Sequence, residues 1–133
     1  MSLRSAVIAA SLAIASAFGV GASPVVAAPA EHSSCFLSSN WEGWKSPDPN
    51  TIYLRVSVAH VFRLDLAHPS NQLNDPSVHL LSKIRGSSWI CSPLDLQLYA
   101  ADDHGIMREP LFVRDMTELT PDEIKAIPAK YRP

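Results

Sequence analysis

From Thr51 to Leu66 the chain alternates apolar and polar residues almost without a break. Ile52, Leu54, Val56 and Val58 fall on one side of an extended chain, and Thr51, Tyr53, Arg55 and Ser57 on the other. His60 to Leu66 repeats the pattern, with Phe62, Leu64 and Leu66 inward and Val61, Arg63 and Asp65 outward. A period of two marks half-buried strands, because successive side chains leave opposite faces of a pleated sheet. The two runs predict a hairpin whose inner faces match when Val58 stands opposite Phe62, a register that also sets Arg55 opposite Asp65. Ala59, His60 and Val61 between them lack the Gly or Asn that tight turns favour, so the strands are better specified than the turn.

The flanking segments add shorter pieces of the same kind. Ser46-Pro47-Asp48-Pro49-Asn50 is turn chemistry throughout. Ala67 to Pro76 holds a single apolar Leu73 among turn formers and reads as one helical turn or an irregular loop. Val78 to Ile84 is strand-like, Gly86-Ser87-Ser88 turns it, and Trp89-Ile90-Cys91 is short and apolar. Pro93 prevents a central strand from running through, so the next strand is read from Leu94, Leu96 and Leu98. Ala101 to Gly105 is a turn and Leu111 to Met116 the returning strand. Near the C-terminus, Thr120-Pro121-Asp122-Glu123 is a capping box with proline at the first helical position, Leu119 and Ile124 are spaced as a hydrophobic staple, and Pro128 ends the helix. Five to six strands, one short C-terminal helix and no βαβ alternation predict a mainly β domain, a small antiparallel partly closed barrel or a sandwich.

Residues 1–30 stand apart from this domain. Arg4 precedes an uncharged apolar run from Ala6 to Val20, and Ala28-Pro29-Ala30 offers small residues for cleavage. That is the pattern of a secretory signal peptide, and the run is short for a membrane span. The expectation is an exported, periplasmic or secreted protein whose single domain covers residues 31–133, with no membrane span after cleavage. Two cysteines in an exported chain of this size are most simply one disulfide, Cys35–Cys91. Closing so long a loop is worth about 4 kcal/mol in the chain-entropy account.

Catalytic chemistry is thinly represented. The five histidines (32, 60, 68, 79 and 104) show no spacing that suits a metal, and no cofactor motif is present. Serines are plentiful but none sits in a Gly-x-Ser-x-Gly elbow, and Cys91 is not followed by the second thiol of a redox pair. Asp102-Asp103-His104 is the one acid–histidine cluster, and it falls in a turn that wants such residues anyway. A net charge of −2 at neutral pH, with no basic stripe, argues against a nucleic-acid partner. Trp41 and Trp44 are spaced to line a groove for a ring-shaped ligand, although such pairs more often pack over the open end of a small core.

Cys35, Trp44, Asp48, Thr51-Ile52-Tyr53 and Phe62-Arg63-Leu64-Asp65-Leu66, followed by Ile90 to Leu96, Val113 and Leu119-Thr120-Pro121, resemble the small exported bacterial proteins grouped as a domain of unknown function. The resemblance spans nearly all of residues 31–133 and implies a mainly β exported domain, with no activity to carry over. Members often have two further cysteines, at places held here by Ser70 and Leu111. Their joint loss implies that they were partners of each other.

Three functions follow as expectations. The first is a non-catalytic module that binds an unknown protein or small ligand, with Trp41, Trp44, Tyr53 and Tyr99 as its candidate surface. The second is an inhibitor of a cell-wall-degrading enzyme acting through the Ala101–Arg108 loop. The third is a small hydrolase using Asp102, His104 or Asp65.

Overall fold

The alternating run forms paired strands, in a register set by its turn. A computed structural model of the chain describes residues 34–84, 86–104 and 106–133; the signal peptide expected over residues 1–30 lies outside the described residues. Thr51–Val56 (β3) pairs antiparallel with His60–Leu66 (β4), with Leu54 opposite Phe62 and Val56 opposite His60. The expected pairs Val58–Phe62 and Arg55–Asp65 are therefore corrected: Arg55 stands opposite Val61, and Thr51 opposite Asp65. Alternation specifies register only to a multiple of two residues, so both registers keep the apolar faces in step. The observed one closes on Ser57, which takes a left-handed φ of 56°. Ser57 bonds Val56 O through its hydroxyl and Asn40 O through its amide. Val58, expected inside, is 94% exposed at the turn, and Val61, expected outside, is 4% exposed.

Nine strands are present among the described residues, not five to six. Phe36–Leu37 (β1) pairs with Trp89–Ile90 (β6). Trp41–Asp48 (β2) joins β3, so the stretch read as turn chemistry is mostly strand, and only Pro49-Asn50 turns. Val78–Lys83 (β5) pairs with Gln97–Asp102 (β7), and β7 with Arg108–Leu111 (β8). Val113–Glu118 (β9) pairs with β4. The predicted strand from Leu111 to Met116 is thus split at Phe112, where the chain steps from one sheet to another. Pro93 starts a 3-10 turn over Pro93–Asp95 rather than a strand, which leaves Leu94 93% exposed. The expected helical turn near Leu73 is a 3-10 turn over Asn71–Asn74 with Leu73 buried.

Three antiparallel sheets result, with orders β1-β6, β2-β3-β4-β9 and β5-β7-β8. They share one core: Phe36 and Ile90 from the first, Ile52, Leu54, Phe62 and Leu64 from the second, Val78, Leu98, Ala100 and Leu111 from the third. Ile52, Leu54 and Leu64 are fully buried, each worth about 1.5–3 kcal/mol relative to exposure. The arrangement is sandwich-like. The larger sheets meet covalently at Phe112, and their other edges, β2 and β5, are not paired with each other, so no barrel closes.

The disulfide Cys35–Cys91 is present and continues the β1–β6 ladder, in which Phe36 faces Ile90. The C-terminal helix Pro121–Ala126 (α1) starts with the expected capping box: Thr120 Oγ accepts from the Glu123 amide, and the Glu123 carboxylate accepts from the Thr120 amide. Its segment begins beside β4, where the Leu119 amide donates to Val61 O, and ends with Ala129–Tyr131 in contact with β2. Among the described residues no helix is long and apolar enough to cross a membrane.

Candidate functional site

The unpaired edges of β2 and β5 border a cavity of about 670 Å³. Trp41, Glu42 and Trp44 line it from β2, and His79, Leu80 and Ser82 from β5. Strict alternation would place residues 41 and 44 on opposite faces of a strand. One extra residue on β2 between Trp41 and Gly43 removes that conflict, so Trp41 stands opposite Val56 and Trp44 opposite Leu54, two positions on the same core-facing side of β3. Such bulges re-aim side chains at sheet edges. Both indoles pack against the core and are partly exposed to the cavity. A second bulge between Lys45 and Asp48, with Pro47, keeps the rest of β2 irregular, as is common at protected edges. β5 pairs without interruption on its inner side.

The structure brings together only two of the four aromatic residues of the expected surface. Tyr53 lies on the opposite face of β3, between Lys45 and Arg63 of the neighbouring strands. Tyr99 belongs to β7, with the Lys83 ammonium 5.4 Å from its ring centroid, and borders a separate groove with Pro110 and Phe112. His79, Leu80 and Ser82 were invisible as site residues in the sequence, because nothing local reveals that their strand ends a sheet opposite Trp41 and Trp44.

Of the acid–base candidates, Asp102 and Asp65 are occupied structurally, and His104 is exposed in the turn after β7. Asp102 Oδ1 accepts from the amides of Ile106 and Met107 and shapes the β7–β8 turn. Asp103 pairs with His79 across to β5. Asp65 lies in the other large sheet, 2.9 Å from Arg63 Nη2. No group of three His, Cys, Asp or Glu suited to a metal occurs among the described residues.

One cluster has no counterpart in the sequence reading. Ser34 Oγ donates to Glu118 Oε2, and His60 Nδ1 meets Glu118 Oε1, beside a cavity of about 240 Å³ that also touches Cys35 and Trp89. The carboxylate bridges the serine and the histidine. A nucleophilic serine needs the histidine as its direct base, with the acid behind it. The order here instead ties the N-terminal segment to β4 and β9.

The carboxylates held below their ordinary range are also structural. The amide and hydroxyl of Ser77 lower Asp75, the amides of Cys91 and Ser92 and then the Ser92 hydroxyl lower Asp95, and the amide and hydroxyl of Thr120 lower Glu123. None of these groups borders the β2–β5 cavity. No family model, curated protein or solved structure matches the chain.

Proposed function

We propose that this is an exported, non-catalytic binding module, and that its binding site is the cavity between β2 and β5. The observation that carries the reading is the open seam itself. Two sheets that share a core stop short of closing, and the gap is lined by two tryptophans aligned by a bulge. Pockets of this size accommodate small ligands, and aromatic side chains supply contact area with little loss of rotamer freedom. The disulfide and the N-terminal pattern of residues 1–30 support export. The resemblance to small exported bacterial proteins agrees with that placement. The Ser34–Glu118–His60 arrangement does not favour hydrolysis, because its serine bonds the acid and not the base.

A second reading, an inhibitor of a cell-wall-degrading enzyme, draws on the β7–β8 turn. Asp102 fixes that turn, while Ile106 is 83% and Met107 53% exposed near its tip. One comparison separates the two. Material from a periplasmic extract is captured on wild-type protein, on Ser88→Trp, which fills the cavity from an exposed position on its wall, and on Ile106→Asp. Loss with Ser88→Trp alone is the expected outcome. Loss with Ile106→Asp alone would favour the inhibitor, and equal capture by all three would remove the cavity as the site.

A further inference from the structure

Resting on the cavity as the binding site, we propose that its ligand is a neutral oligosaccharide whose pyranose rings lie against Trp41 and Trp44. The bulge in β2 places both indoles on one side of the strand, opposite Val56 and Leu54. Their partners are two residues apart, so the two tryptophans spring from backbone positions about 7 Å apart along the strand. A sugar ring presents an apolar C–H face and a rim of hydroxyls, and this cavity offers a partner for each. The indole faces supply the first. For the second, no hydrogen bond among the described residues engages the hydroxyls of Ser38, Ser82 and Ser88 or the indole N–H groups of Trp41 and Trp44. Neither indole N–H is among the buried side-chain N and O atoms that lack a hydrogen bond among the described residues; the one such atom is Arg55 Nε, whose contact with Glu42 is an ion pair and not a hydrogen bond. Polar groups that the fold leaves unused beside an aromatic floor are available to a hydroxyl-rich ligand.

The charges explain why that ligand is neutral. Glu42 lies 3.3 Å from Arg55 Nε, and His79 meets Asp103, so the two ionisable groups among the described lining residues already have partners. An ionic ligand would have to displace them. Gly43, opposite Arg55 and on the lining, has open space where a Cβ would stand, with nothing within 4 Å. The rival occupant is an extended polypeptide adding a strand to β5, which would use backbone groups and would not need the serine hydroxyls.

Three tryptophans give three indole signals in a proton–nitrogen correlation spectrum, and Trp89, beside the other cavity, is the internal reference. The disulfide-closed protein is titrated with cellotetraose, with chitotetraose and with an extended apolar peptide. The expected result is that a sugar moves the Trp41 and Trp44 signals together and leaves Trp89 in place. Trp44→Leu, which keeps apolar volume and removes the aromatic face, should then bind about tenfold more weakly. Should that variant fail to fold, the wild-type titration decides alone. Failure of both sugars to move Trp41 and Trp44, or equal movement of all three signals, overturns the proposal. Movement by the peptide alone also overturns it, yet leaves the cavity as the binding site; the cavity itself is tested separately by the Ser88→Trp comparison.

Discussion

At the scale of single residues, Asp95 does more than its place in an exposed turn suggests. Its carboxylate accepts from the amides of Cys91 and Ser92 and from the Ser92 hydroxyl, holding the chain where it leaves the disulfide. These bonds favour the ionised form and hold the group below its ordinary value. A carboxylate depressed in the folded state contributes stability that is complete above its unfolded value, about 3.9, and is lost as pH falls through the lower folded value. Asp95→Ala should therefore lower the melting temperature at about pH 7, with the gap from wild type closing by about pH 2. Melts across that range check it, and a gap that persists in acid would remove the linkage. The capping residues were legible in the sequence because each bond spans three or four positions. Asp95 was read as an outward strand residue, because the turn after Pro93 was not distinguished from a strand.

At the scale of elements, pairing between distant segments decides what the local pattern leaves open. The segment after β4 runs beside β8: the Ala67 amide donates to Phe112 O, and Ser70 Oγ donates to Glu109 Oε2 at 3.0 Å. Ser70 is 2% and Leu111 5% exposed. The two places where similar proteins are expected to carry extra cysteines thus sit in adjoining segments. We predict that Ser70→Cys with Leu111→Cys forms a second disulfide on oxidation, seen as loss of two alkylatable thiols. Two free thiols after oxidation would show that these side chains do not approach each other. The β2 bulge belongs to the same scale. Nothing in Trp41-Glu42-Gly43-Trp44 announces an extra residue, because a bulge exists only relative to the partner strand.

For the whole molecule, the Cys35–Cys91 bond decides how much of the fold is held closed. β1 and β6 are two residues each and form a sheet of their own, so their ladder alone is a weak tie between the N-terminal segment and the core. The bond links residues 56 positions apart. Cys35→Ser with Cys91→Ser should cost about 4 kcal/mol, a large part of the 5–15 kcal/mol typical of a whole domain. Urea unfolding of the oxidised protein against the double variant measures it, and matching midpoints would show that the short ladder suffices alone.

By itself the sequence determined that the segments of β3, β4 and β5 are extended, which way most side chains of β3 and β4 point, where the helix begins, and which cysteines pair. Each of these depends on neighbours in the chain or on a choice with one alternative. Tertiary structure decided the register of the hairpin, the division of one run into β8 and β9, and the open edges of β2 and β5. Those features arise between segments far apart in the chain, where loop geometry and shared burial select among pairings that alternation treats as equal. The candidate site belongs to the second group: Trp41 and Trp44 are visible in the sequence, but the wall they face is not.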